Sequence, residues 1–220
     1  MSEDSRKHLI VITCGEAIGD PEGLIGGRRS HVLTATGRRQ ALLAGVELAH
    51  YCEQQEIRLA DAVWLASPVA RAVQSLWQVV AGLRETGLGP KRIDPRSEDG
   101  MSALDAGRLT GLRRADVLKL HPQVQADVDY AWPGGESLRA VRARSTSCLE
   151  RHLLDNTGKA YVVVTHRAVW TALLTPSVYD NPDEQASALA LEPKYARFAA
   201  FTFRNPNGLT TGLDLTHLPS

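Results

Sequence analysis

The chain has 220 residues with 43% apolar content, enough to bury one sizeable core. Lys plus Arg and Asp plus Glu balance at 25 each, so no net field recommends nucleic acid or an acidic membrane surface as partner. The three cysteines, Cys14, Cys52 and Cys148, are odd in number and unrelated in spacing, which argues against a disulfide framework or a zinc site and for a reducing compartment.

Residues Met1 to His8 are polar and mixed in charge, without the apolar stretch of a secretory signal, and no run reaches membrane-spanning length. A cytoplasmic protein of one domain over residues 1–220 is the expectation. Leu9-Ile10-Val11-Ile12-Thr13 is the first apolar run, and its lack of polar alternation predicts a strand buried on both faces. It stops at Cys14-Gly15-Glu16, where Gly15 would let the backbone turn away. In open α/β sheets ligands bind outside the carboxyl ends of strands, so Cys14 stands where chemistry is placed. Unpaired cysteine is also among the most buried residue types, so by itself Cys14 reads as core before catalyst.

A glycine-rich loop follows from Ala17 and ends in Arg28-Arg29-Ser30. These arginines are either solvated loop charges or an anion-binding pair. Thr34 caps a helix predicted to run to about Gln54, with Ala41, Leu42, Gly45, Leu48 and Ala49 at helical spacing. Ala62 to Ala66 is a second buried strand, followed by Ser67-Pro68, with Pro68 fitting the start of the next helix. That helix turns Val69, Ala72, Val73, Leu76, Val79 and Val80 inward. Arg71 lies in its first turn, where free amides already favour an anion.

Arg92 to Asp94 reads as a short strand, Met101 to Gly111 as loop, and Arg113 to Leu120 as a helix that Pro122 ends. Trp132 to Ser137 is a turn ahead of a long helix reaching about Leu154, with Cys52 and Cys148 as packing residues of their helices. Tyr161 to Thr165 repeats the first pattern, a buried strand with His166 at its carboxyl end. A buried helix follows over Ala168 to Leu174, and Phe198–Phe203 with Gly212–Leu215 suggests a terminal antiparallel pair.

In this order the segments resemble the histidine phosphatase superfamily, the phosphoglycerate mutase-like fold. Ile12-Thr13-Cys14-Gly15-Glu16 is similar to a strand ending in Arg-His-Gly-Glu. Leu33 to Ala41 matches the Leu-Thr-x-x-Gly-x-x-Gln-Ala helix start, and Ser67, Pro68, Arg71, Ala72, Gln74 and Ser75 match the Ser-Pro-x-x-Arg-Ala-x-Gln-Ser block. Pro133 to Ser137 supplies Pro-Gly-Gly-Glu-Ser, and Val162 to His166 the late strand ending in histidine. The resemblance implies a three-layer α/β/α sandwich with a mostly parallel central sheet.

It also implies a site in which the first histidine takes the phosphoryl group, two arginines and a second histidine hold its oxygens, and an acid protonates the leaving alcohol. Arg71 and His166 match the second arginine and second histidine. Thr13 replaces the first arginine, Cys14 the nucleophilic histidine, and Ala103 falls where the acid is commonly found. A thiolate beside arginine or histidine can serve as nucleophile, so a phosphocysteine intermediate is expected. Arg28 or Arg29 could replace the missing arginine. Glu16, Glu98, Asp99, Asp105 and Glu136 could replace the acid, with Glu136 and Asp105 favoured.

The expected partner is a small phosphomonoester. Trp132 beside the turn would suit an aromatic moiety such as a nucleotide or flavin phosphate. A phosphate-binding protein without turnover is the alternative. Neither cofactor nor metal is expected, because no His, Cys, Asp or Glu cluster shows ligand spacing. Oligomeric state stays open, with a homodimer the commonest closed assembly.

Overall fold

Alternation along β1 (Lys7–Thr13) divides its apolar run between two faces, and the same division runs through the sheet. Leu9, Val11, Leu65, Tyr161 and Val163 pack to one side with apolar residues of two later helices. Ile10, Ile12, Trp64, Val162 and Val164 pack to the other side with residues of the first two. Two cores separated by one sheet make the three-layer α/β/α architecture. In the computed structural model, residues 7–154, 159–174 and 195–203 are described.

The remaining strands are β2 (Val63–Ala66), β3 (Arg96–Ser97), β4 (Ala160–Thr165) and β5 (Phe198–Phe203), in sheet order β3-β2-β4-β1-β5. β3, β2, β4 and β1 run parallel, and β5 closes the edge antiparallel to β1. Helices α1 (Ala35–Gln54) and α2 (Ala70–Glu85) cover one face, while α4 (Leu138–Leu154) and α5 (Arg167–Leu174) cover the other. The short α3 (Arg114–Leu120) belongs to a third apolar cluster, in which Val117 meets Ile25, Ala106 and Leu109. That cluster joins the glycine-rich loop after β1 to the segment after β3, over the carboxyl end of the sheet.

The expected elements recur with local differences. Thr34 caps α1 by accepting a hydrogen bond from Gly37 N at 2.9 Å. The strand expected at Arg92–Asp94 falls instead at Arg96–Ser97, beyond Pro95, which has no N–H to give a ladder. Val73 was expected inward but is exposed: with Arg71, Ala72, Ser75 and Leu76 facing in, helical rotation carries Val73 and Trp77 outward. Pro68 precedes α2, whose cap is Val69. Phe198–Phe203 is antiparallel as expected, but its partner is β1, and Gly212–Leu215 lies outside the described residues. Among the described residues, no helix is long and apolar enough to cross a membrane.

Candidate active site

Strand register builds the centre of the site. β1 and β4 are parallel with Thr13 opposite Thr165, and β4 and β2 are parallel with Val164 opposite Ala66. The residues that leave these three neighbouring strands are therefore brought side by side: Cys14, His166 and Ser67. Backbone bonds extend the ladder to them, from Cys14 N to Thr165 O at 2.8 Å and from Ser67 N to Val164 O at 3.0 Å. Cys14 Sγ lies 3.6 Å from His166 Nδ1, and His166 Nε2 lies 2.7 Å from Ser67 Oγ. A thiol, an imidazole and a hydroxyl thus form one buried row.

Gly15 is required here by crowding. A Cβ at Gly15 would stand 2.3 Å from Gly37 O, and one at Gly37 would stand 1.9 Å from Glu16 O. The first turn of α1 and the end of β1 touch through two glycines, and Gly15 is not among the positive-φ residues. The reason for glycine is therefore close backbone approach, where a turn had been expected. Gly15 N also donates to Ser75 Oγ at 3.0 Å, which ties β1 to α2.

The cations are arranged differently from the sequence expectation. Arg71 is buried near the start of α2 and donates from Nη1 to Arg29 O at 2.9 Å and from Nη2 to Gly27 O at 2.7 Å. Its positive charge also pulls the Cys14 thiol down. Arg28 turns elsewhere, with Nε donating to Ala103 O at 3.1 Å and Nη2 to Glu136 Oε1 at 3.1 Å. Arg29 lays its guanidinium over Gly111, where a Cβ would be 2.5 Å from Nη1. Among the described residues the second cation near Cys14 is Arg167, which lines the same cavity as Arg71. Its guanidinium carbon stands 5.1 Å from the Tyr195 ring centroid.

The expected acids are also redistributed. Glu136 is clamped: Oε1 accepts from Arg144 Nη2 at 2.8 Å and Asp105 N at 2.8 Å, and Oε2 from Arg144 Nε at 3.0 Å. Burial pushes this carboxyl up, but the Arg144 and Asp105 hydrogen bonds outweigh it and hold the group below the usual range. Asp105 Oδ1 accepts from Gly107 N, Glu16 from the Thr34 hydroxyl, and Glu98 meets His152. Asp20 and Asp127 both line the cavity, and of the two it is Asp20 that acts on the Cys14 thiol; Asp20 also pushes the Tyr195 phenol up, after burial. Sequence reading passed over Asp20, Tyr195 and Arg167. Only Arg167 carried a local signal, as the residue after His166.

Thr13 is turned away from the cavity. Its Oγ1 lies against the Arg197 backbone, accepting from N at 3.0 Å and donating to O at 3.3 Å. Ala103 and Trp132 both line the cavity, which measures about 330 Å³ and is walled also by Tyr130 and Leu104. Burial pushes the Cys14 thiol up; Arg71 and Arg167 pull it down and Asp20 pushes it up, leaving it raised. Burial, then Arg71 and Arg144, hold His166 well below the ordinary imidazole value. At neutral pH the pair is a neutral thiol beside a neutral base, able to exchange one proton at short range.

The family model for the histidine phosphatase superfamily (branch 1) matches residues 9–205. No curated protein matches the chain. Among solved structures, a mycobacterial glucosyl-3-phosphoglycerate phosphatase in its native form is similar at 20% identity and TM-score 0.72, covering 96% of this chain and 98% of its own. The same mycobacterial phosphatase in complex with VO3 gives 23% identity and TM-score 0.66, over 88% of this chain and 92% of its own. A candidate alpha-ribazole-5'-P phosphatase from Escherichia coli gives 17% identity and TM-score 0.69, over 91% and 92%. At these identities the likeness is one of fold.

Proposed function

The chain belongs to the histidine phosphatase superfamily, and on that premise we propose that it hydrolyses a small phosphomonoester through a covalent phosphocysteine at Cys14. The observation that carries the reading is the 3.6 Å approach of Cys14 Sγ to His166 Nδ1 at the floor of a cavity that also holds Arg71 and Arg167. The mycobacterial phosphatase with VO3 shows that a relative of this fold takes a phosphate-like oxyanion.

The steps balance without an added co-reactant. The Cys14 S–H bond breaks as its proton passes to His166 Nδ1, and the sulfur electron pair forms the S–P bond. The P–O bond to the alcohol breaks on the opposite side, and that oxygen takes a proton from a water held at the Asp20 carboxylate. A second water then attacks phosphorus and gives its proton to the hydroxide left by the first, while the S–P bond breaks and sulfur recovers its proton from His166. Ser67 fixes the imidazole by its bond to Nε2, and Arg71 and Arg167 offset the charge on the transferring oxygens. In this scheme Glu136 holds the cavity wall through Arg28 and Arg144, and Asp20 serves the leaving group by holding the water that protonates it. Trp132 and Tyr130 favour a substrate with an aromatic group, such as a nucleotide or flavin monophosphate.

The second reading, phosphate-ligand binding without turnover, is favoured by burial of the thiol and by Thr13 facing away from the cavity. A panel of aryl, sugar, nucleotide and flavin monophosphates separates the two. Turnover, with one phosphoryl group trapped by rapid quench on the peptide containing Cys14, is the expected result. Saturable binding of a panel member with no phosphate release and no trapped adduct would establish the binding reading instead.

A further inference from the structure

On the helix side of the sheet opposite α1 and α2, three ligand-type side chains converge away from the cavity. Cys148 and His152 stand one turn apart on α4, and Glu98 comes from the segment just after β3. Cys148 Sγ lies 3.4 Å from Glu98 Oε2, and His152 Nε2 lies 2.7 Å from Glu98 Oε1. A set of ligand atoms, one from each residue, falls within 4.8 Å. Cys148 is 1% and His152 8% exposed.

We propose that Glu98, Cys148 and His152 form a binding site for a divalent transition-metal ion of the zinc type, separate from the Cys14 cavity. The donor set is one thiolate, one imidazole and one carboxylate, all ordinary zinc ligands. Bond lengths of about 2.0–2.3 Å put the edges of a tetrahedral site at about 3.3–3.8 Å. The 3.4 Å sulfur contact and the 2.7 Å nitrogen contact are made to different oxygens of Glu98, and with one donor atom from each residue already within 4.8 Å of the others, a tetrahedral site needs the set to close by about 1 Å at most. Charge closes as well, since a thiolate and a carboxylate neutralise a dication in a place where either anion alone would be poorly solvated.

Two neighbours fit this role. The Arg151 guanidinium stands 3.7 Å from Glu98 Oε2, but its side chain is 71% exposed, so it can swing into water when a dication takes its place. The Glu98 side chain keeps 18% exposure, which leaves the fourth ligand position to a water. The backbone also holds the ligands close, since a Cβ at Gly100 would stand 2.5 Å from Cys148 Cβ. A metal here would staple the Glu98–Ala103 segment, and with it the Ala103 wall of the cavity, to α4. Helical spacing relates Cys148 to His152, but the third ligand lies fifty residues from Cys148, which is why sequence spacing passed over the site.

The probe is Co(II), added alone to the metal-free full chain. A sulfur-to-cobalt charge-transfer band saturating at one equivalent is expected, together with Zn(II) competition and a metal-dependent rise in Tm. Cys148→Ser should abolish the band while Cys14→Ser keeps it. His152→Gln and Glu98→Gln, each checked for a native near-ultraviolet circular dichroism spectrum, should weaken binding by more than about 10-fold. Absence of the band in the wild-type chain, or a band that survives Cys148→Ser, overturns the proposal. Because the readout is spectroscopic, it stands whether or not the chain turns over a phosphomonoester.

Discussion

Cys14 and Cys148 are both buried thiols within reach of a histidine, yet the charged group that acts most strongly on each is a cation at the first and an anion at the second. Burial pushes both upward, which is the common cost of taking a thiolate out of water. Beside Cys14, Arg71 and Arg167 pull the thiol down and Asp20 pushes it up; beside Cys148, Glu98 pushes it further up and Arg151 pulls it down. The first is a place where sulfur can carry transient negative charge during chemistry. The second is a place where sulfur stays protonated until a cation arrives. A cysteine's burial therefore says little about its use, and the sign of its neighbours says more.

The largest expected effect tests the Cys14 side of that contrast. Cys14→Ser should lower kcat on the best phosphomonoester by at least about 10³-fold, as removal of a covalent nucleophile does. Cys52→Ser, on the core face of α1 and remote from either histidine pair, should turn over near the wild-type rate. Steady-state phosphate release measures both, and equal rates for Cys14→Ser and wild type would remove sulfur from the mechanism. Arg71→Gln comes next. Loss of one charged donor to the transferring phosphoryl should cost about 10²-fold in kcat. It also deprives Gly27 O and Arg29 O of their donor. A KM increase with unchanged kcat would assign Arg71 to ground-state binding alone.

Much of this arrangement was legible in the chain. Unbroken β-branched runs at β1 and β4 required strands covered on both faces, and each carried its candidate site residue just past its end. Cys14, His166 and Arg71 could therefore be named from the sequence, and parallel register then brought the first two together. What the sequence did not display was where long side chains go. Arg28 and Arg144 converge on Glu136 only because the loop after β1 folds back against the turn before α4. Asp20 and Tyr195 meet from opposite ends of the chain, with no spacing to announce it. Gly15 was legible as a special position, but the cause is its contact with Gly37.

That contact supplies the third prediction, which asks whether Cys14 depends on position as well as charge. Gly15→Ala would place a Cβ 2.3 Å from Gly37 O, a backbone atom that cannot rotate away. Overpacking of this kind costs about 1–3 kcal/mol. For a chain of this size each kcal/mol lowers Tm by about 2–4 °C. Thermal unfolding should show that loss, and kcat should fall further than stability explains because Cys14 moves with its neighbour. An unchanged Tm would mean that α1 and β1 can separate without consequence.

The smallest effect isolates the sign of the field at Cys14. Alkylation by iodoacetamide, followed by peptide mapping against pH, reads the thiol directly and needs no phosphoryl chemistry. Cys14 faces the cavity, so it should label ahead of Cys52 and Cys148, and its labelling limb should lie above the ordinary thiol value of about 8.5 because burial dominates. Asp20 raises the thiol, so Asp20→Asn should move the limb to lower pH. Arg71 lowers it, so Arg71→Gln should move the limb to higher pH. His166 is neutral across this range, so the limb belongs to the thiol and the two variants must displace it in opposite directions. Asp20→Asn should also lower kcat, since the neutral amide polarises the water that protonates the leaving oxygen less strongly. A variant that labels more readily yet turns over more slowly would separate Asp20's effect on the sulfur from its effect on the leaving group. Displacement of both limbs in the same direction would mean that burial alone governs Cys14, and the contrast with Cys148 would then rest on access to the cavity.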